Sequence, residues 1–281
     1  MAINWFPGHM NKAKRQIAKA MGQVNLVIEV LDARMPHSSE NPLVAGLRQD
    51  TPCIKILNKK DLADPNITAH WLSWFNAQPG TYAVAHERLQ PKATKRILNL
   101  GRKIMPADRN TSKPIVAMIL GVPNVGKSTI INTLIGRTLA KTGNIPAVTR
   151  RQQRIELKGG YILMDTPGFL WPRLDPPECG LRLALLGSIP DNVVVYDELA
   201  VFAAQTLMAR YPDQVMERYK IKEMPETPEL LVEKIGMKRG CMRKGGIVDT
   251  QKASEVLVKE LRAGLLGPVS LERPGEAADQ V

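Results

Sequence analysis

Residues 113–136 read "KPIVAMILGVPNVGKSTIINTLIG". The opening part, "KPIVAMIL", is a short apolar run with the composition of a buried strand, and "KSTIINTLIG" reads as a helix. Between them, Gly121–Ser128 satisfies G-x-x-x-x-G-K-[S/T] in the strand–loop–helix context that this pattern needs. Its glycines let the backbone curl so that consecutive N–H groups, through Asn124, Val125 and Gly126, point at phosphates, and the helix beginning near Lys127 adds the positive end of its dipole. Lys127 is then the cation for the terminal phosphates. Ser128 supplies a hydroxyl to Mg²⁺, and Thr129 lies within reach of the α-phosphate.

Two further segments turn a P-loop into a guanine-nucleotide site. "DTPG" (Asp165–Gly168) follows the strand-like "YILM", so Asp165 stands at a strand end where it can hold Mg²⁺ through water. Gly168 is suited to offer its N–H to a γ-phosphate and to flex when that phosphate leaves. "NKKD" (Asn58, Lys59, Lys60, Asp61) closes the apolar run "PCIKILN". The Asp61 carboxylate can accept from guanine N1–H and N2–H₂, whereas adenine would leave a buried carboxylate unpaired, a mismatch of about 10⁴ to 10⁵. Asn58 braces this loop and the Lys59 stem can lie along the base plane. Either segment alone is an ordinary turn; together with the P-loop they predict GTP and GDP as ligands.

Strand and helix signals alternate from "VNLVIEVLDAR" (from Val24) and "PCIKILN" through "HWLSWFNA", "TYAVAH" and "PKATKRILNLGRKIM" to "QQRIEL" and "YILM". Six strands with crossovers predict an α/β fold: a mostly parallel sheet flanked by helices, with ligands at the carboxyl ends of the strands. After Asp175 strand signals fade, and "VYDELAVFAAQTLMARY" and "TQKASEVLVKELRAGLL" carry helical periodicity. We therefore expect a GTPase domain over 1–175, with a docked helix within 1–22, and a small all-helical domain over 176–281 that ends in a frayed tail, "ERPGEAADQV".

No apolar run is long enough to cross a bilayer, so no membrane partner is expected. Three scattered cysteines suit neither a disulfide framework nor a zinc ribbon and fit a reducing cytosol. The 39 Lys+Arg against 27 Asp+Glu, a net +12, favour a polyanionic partner such as RNA. "KATKR", "GRK", "MKRG" and "MRKGG" are the cation-rich segments that would grip phosphates, each being otherwise a solvated face. The acid-poor N-terminus has the composition of a transit peptide, but Met10, Ala13, Ile17 and Met21 recur at helical spacing, the reading of a helix that stays.

The motif order is unusual: in Ras-like GTPases the P-loop precedes N-K-x-D, yet here Asn58 precedes Gly121, a circular permutation. With "NWFPGHM", "LDARMPHSSENP", "GNIPAVTR", "DTPGFLWP" and "GCMRKGGIVD" alongside these motifs, the sequence resembles the YlqF/RbgA family of circularly permuted GTPases over nearly its whole length. The resemblance implies an assembly factor that binds the immature large ribosomal subunit and its rRNA with GTP loaded and hydrolyses GTP on maturation; a cytoplasmic protein, monomeric off the ribosome, is expected. A GTP-responsive RNA-binding scaffold with negligible turnover is the alternative. The resemblance also makes Thr149 the switch threonine over Mg²⁺ and the γ-phosphate. It makes Asn124 a K⁺ ligand, the other reading being a turn-forming Asn. For the family's fifth, base-contacting motif this chain offers only Ala85 and His86 in place of a Ser-Ala pair. No glutamine follows Gly168; Phe169 and Leu170 stand there, so the attacking water needs another group. His9 is that group or, with Trp5 and Phe6, an anchor for the first helix.

Overall fold

The computed structural model describes residue 5 and residues 8–87, 91–106, 112–135, 153–157 and 159–276. Within these, Leu26–Asp32 (β1), Cys53–Asn58 (β2), Thr81–Ala85 (β3), Ile115–Leu120 (β4), Gln153–Leu157 (β5) and Tyr161–Asp165 (β6) form one sheet in the order β3-β2-β1-β4-β6-β5. Every residue of β1 and β2 is buried, as continuous apolar runs require when helices cover both faces. β1 runs parallel to β2 and β4, β2 to β3, and β4 to β6; β5 alone is antiparallel, at an edge. The expected α/β fold, mostly parallel and flanked by helices, is the one observed.

The helices among the described residues are Gly8–Met21 (α1), Pro36–Ser39 (α2), Pro42–Arg48 (α3), Pro65–Asn76 (α4), Pro91–Lys103 (α5), Lys127–Ile135 (α6), Pro177–Leu185 (α7), Tyr196–Arg210 (α8), Pro212–Tyr219 (α9), Pro228–Lys238 (α10) and Thr250–Arg262 (α11). α1 buries Met10, Ala13 and Ile17, one stripe at helical spacing, against the main core. α4 starts where the Asp64 carboxylate accepts from the N–H groups of Asn66 and Ile67. It buries Ile67, Trp71 and Phe75 beside Leu31 and Leu57 of the sheet. α11, capped by Asp249, lies against α8 and α10. The apolar side chains of α7, α8, α10 and α11 join those of the sheet in one continuous cluster that includes Trp171, Leu174 and Cys179.

One polar joint fixes the turn after β1. Glu29 and Lys55 face each other across the β1–β2 register, with Lys55 Nζ 2.8 Å from Glu29 and 2.6 Å from Glu40. The second Glu29 oxygen accepts the Asn41 N–H at 3.0 Å. Two carboxylates around one buried ammonium thus hold α2 and the start of α3 against the sheet.

The expectation of a frayed tail from Glu272 is corrected at its first residues. Glu272 is 3% exposed; its carboxylate accepts from the Ser38 N–H and hydroxyl and sits 3.6 Å from Arg182, while Trp71 donates to its carbonyl. Glu276 pairs with Arg210 at 2.7 Å. Hydropathy misses this because the anchoring group is a charge whose partners lie about 90 and 230 residues upstream. Residues 277–281 of that tail lie outside the described residues. Glu272→Ala strips Ser38 and Arg182 of a buried acceptor; we expect a loss of about 2 kcal/mol, read by urea unfolding with the slope unchanged.

Candidate nucleotide-binding site

Parallel pairing brings the ends of five strands to one edge of the sheet. Asp32 is the register partner of Asn58, Leu57 that of Ala85, and Ile119 that of Asp165. "NKKD", "GVPNVGKS", "DTPG" and the "VAHE" segment therefore leave the sheet side by side, though more than a hundred residues separate the first motif from the third.

The P-loop passes from β4 to α6. Asn124 takes a left-handed φ of 58° and Gly126 a φ of 104°, which curl the loop. Gly126 is also a close approach: a β-carbon there would collide with the Asn58 amide nitrogen, which donates to Val125 O at 2.8 Å. That hydrogen bond ties the "NKKD" loop to the P-loop. Lys59, itself left-handed at φ 61°, adds a second tie: its Nζ donates to Asn124 O at 3.1 Å and to Asp32 at 2.8 Å.

Lys127 Nζ donates to Gly121 O and Val122 O at 3.0 and 3.1 Å and is 8% exposed. Burial pulls its pKa down to about 8, against the opposing pull of the Asp165 carboxylate. Asp165 ends β6; burial pushes its carboxyl up to about 6, and Lys127 offsets part of that rise. Ser128, on the first turn of α6, and Asp165 form a donor set of hard oxygens that fits Mg²⁺, and a divalent cation would relieve the Asp165 carboxylate. Gly168 packs over the P-loop: a β-carbon would lie 2.9 Å from Pro123 Cα and 3.0 Å from Lys127 Nζ. Thr166, beside Asp165, donates its hydroxyl to Ile119 O at 2.8 Å and so pins the motif to β4.

On the opposite side, Lys60 donates its N–H to His86 O, and the His86 N–H donates to Leu57 O. His86 Nδ1 lies 2.9 Å from Asn58 Oδ1, an oxygen that can only accept, so the proton is on Nδ1. Burial lowers the His86 pKa, Glu87 pulling the other way. Ala85 is half-buried at the end of β3. His86 thus braces the "NKKD" loop through both backbone and ring. Asp61 is exposed in the chain alone, so the expected penalty for adenine arises only once a base covers it. Thr129, half-buried on the first turn of α6, lies one residue beyond Ser128.

Thr149 lies outside the described residues. His9 falls in the first turn of α1, and its side chain is outside the described residues. Its neighbour Met10 accepts the Leu170 N–H on Sδ at 3.4 Å, which brings that turn of α1 to the chain two residues past Gly168. Phe169 and Leu170 are fully buried, and Asn41 donates to Phe169 O at 3.3 Å.

Sequence reasoning missed Asp32 and Arg34. It quoted "LDAR" without a role for either, yet Arg34 grips Asp32 with Nε and Nη2, both at 2.9 Å, and Asp32 also receives Lys59. Burial raises the Asp32 carboxyl, but Arg34 and Lys59 outweigh it and hold the group well below the usual carboxylate range. A charged pair ending an apolar strand was the available signal.

A family model described as "50S ribosome-binding GTPase" matches residues 116–227. The chain is 40% identical over 285 residues to "Ribosome biogenesis GTPase A" of Priestia megaterium, which covers 99% of each chain. Among solved structures it resembles "GDP-bound structure of TM YlqF" at a TM-score of 0.67 and 29% identity, covering 93% of this chain and 100% of that one. It also resembles the GNP-bound YlqF from T. maritima at 0.65 and 30% identity, covering 94% and 99%.

Two outcomes follow from the packing. Gly168→Ala pushes a methyl group into Pro123 and Lys127; we expect a folded protein whose GTP turnover falls at least about tenfold, measured by phosphate release. His86 binds its proton less readily folded than unfolded, so its share of ligand-free stability is full above the unfolded value of 6.5 and declines as pH falls below it. His86→Gln should flatten that part of the melting profile between pH 7.5 and 5.5.

Proposed function

Since this chain belongs to the ribosome biogenesis GTPase A family, we propose that it is a GTP-hydrolysing assembly factor that engages the immature large ribosomal subunit with GTP bound and leaves after hydrolysis. The observation that carries this reading is the meeting of the base-reading loop, P-loop and "DTPG" segment at one sheet edge, joined by the hydrogen bond from Asn58 to Val125. Asn58, Lys59, Lys60 and Asp61, with Ala85 and His86 behind them, take the guanine. Asn124, Val125, Gly126, Lys127, Ser128 and Thr129 take the phosphates, Gly168 the γ-phosphate. Ser128, Asp165 and Thr149 would hold Mg²⁺, which would supply positive charge against the developing phosphate charge.

K⁺ at Asn124 would add a further positive charge beside the phosphates, the service an arginine finger performs elsewhere. His9 is assigned to position the attacking water; the approach of its neighbour Met10 to Leu170 supports this. The GTPase unit is assigned to 1–175 and an rRNA-contacting helical unit to 176–281. Exposed Lys238, Arg239, Arg243 and Lys244 around the turn after α10 support that contact by charge. No described helix is long and apolar enough to cross a membrane, and we assign the protein to the cytoplasm as a monomer off the ribosome.

The test is GTP turnover with and without large ribosomal subunits, immature ones included, in K⁺ and in Na⁺, with ATP as control. Turnover should start near the roughly 10⁻⁴ to 10⁻² s⁻¹ of unassisted GTPases, rise on subunits and need K⁺. His9→Ala should lose turnover with GTP binding intact. A basal rate unmoved by every subunit form would overturn the assembly-factor reading.

A further inference from the structure

Arg34 is 2% and Asp32 1% exposed. The bidentate grip between them uses two of the guanidinium's three nitrogens. The third, Nη1, points away from the nucleotide loops and donates to Arg262 O at 3.3 Å and Leu261 O at 3.5 Å. These are carbonyls at the C-terminal end of α11, where a helix has orphan acceptors and the negative end of its dipole. From that same end the Arg262 side chain donates Nη2 to Ala184 O and Nε to Leu185 O, both at 2.8 Å, and so holds the end of α7. Two residues on, Gly187 O accepts from Asn124 Nδ2 at 2.7 Å. Asn124 is in the P-loop, and its own carbonyl accepts from Lys59, which returns to Asp32.

The path closes. We propose that Asp32 and Arg34 are positioning residues for guanine-nucleotide binding, acting through a ring of hydrogen bonds that runs from Lys59 through Asp32, Arg34, Arg262 and the α7 end to Asn124. The inference rests on the reading of "NKKD" as the base-contacting loop. Lys59 sits at a left-handed φ and carries a charge at the sheet edge; two acceptors, Asp32 Oδ2 and Asn124 O, fix where its stem lies. Asp32 can hold that position because Arg34 locks its carboxylate, and Arg34 is itself locked by α11. The C-terminal helices thereby set the geometry of the "NKKD" loop through Arg34 and the end of α7.

A purely local ion pair predicts something different. If Asp32 and Arg34 only stabilise the strand end, nucleotide affinity is indifferent to Arg262, whose guanidinium lies at α7 and Asp191.

The experiment titrates the full chain with a fluorescent GDP and records the melting temperature of each variant. Arg34→Lys cannot chelate Asp32 and reach α11 together, and Arg262→Gln releases the α7 end. Each should raise the GDP Kd about fivefold to tenfold, the loss of one or two charge-assisted hydrogen bonds. The double variant should lie within about twofold of the weaker single, because a ring is opened only once. Asp191→Asn, which removes the outer ion pair of Arg262 and leaves its bonds to Ala184 O and Leu185 O in place, should bind as the unaltered protein does. A GDP Kd unchanged in Arg262→Gln, or fully multiplicative effects in the double variant, would overturn the ring even if melting temperatures fall. Should Arg34→Lys not fold, Arg262→Gln decides alone. An ADP titration of the unaltered protein is read alongside: equal affinity for ADP and GDP would unseat the guanine-reading assignment, while the ring is still judged by the GDP affinities of the variants.

Discussion

The parallel register around β1 is the constraint on which the rest depends. With β2 on one side and β4 on the other, both parallel to it, Asp32, Asn58 and the start of the P-loop end up at the same edge whatever order the chain visits them in. A ligand site at the carboxyl ends of parallel strands is a property of the sheet, not of the sequence order. That is why "NKKD" can precede the P-loop in the chain and still lie beside it. The hydrogen bond from Asn58 to Val125 O spans 67 residues of chain yet only one interstrand gap and its neighbour.

Charge burial at that edge is resolved in two distinct ways. Asp32 is over-supplied with cations, Arg34 and Lys59, and stays ionised well below the usual range. Such a group keeps its charge across the neutral range, and the stability it contributes is lost only in strong acid. Lys127 and Asp165 are under-supplied: burial drives the ammonium down to about 8 and the carboxyl up to about 6, so both charged forms are poorly solvated in the protein alone. A phosphate for the first and a divalent cation for the second are the charges that would relieve them. The free-energy gap left by incomplete local pairing is available to binding.

What the sequence made legible follows from locality. Strands in apolar runs, the P-loop between β4 and α6, and Asp165 at the end of β6 depend on residues within a few positions of one another. The α1 stripe at Met10, Ala13 and Ile17 was legible for the same reason. Partners far apart in the chain were not. Arg34 finds α11 over two hundred residues away, Glu272 finds Ser38 at a similar separation, and His86 finds Asn58 across a strand pairing. Each is a polar contact whose specificity lies in three-dimensional placement, so periodicity carries no trace of it. The short helices α2, α3, α7 and α9 were also unmarked; each has proline in its first turn and is too brief to build a convincing period.

The segment after Gly168 is fastened along its whole length. Phe169 and Leu170 are wholly buried, with Phe169 O held by Asn41 and the Leu170 N–H by Met10. The chain then continues through Trp171, Leu174 and Cys179, all in the core, straight into α7. Gly168 lacks a side chain where one would strike Pro123 and Lys127, so the backbone can ride on the P-loop itself. A loop free at its far end could absorb a shift of Gly168 by local rearrangement. This one is gripped within two residues by α1 and by the cap of α3, and its continuation is a helix whose end is fastened by Arg262. Close packing gives such a chain few intermediate arrangements. A displacement at Gly168 must therefore either be resisted entirely or be passed on to α1 and α7 together through the buried "FLW" run.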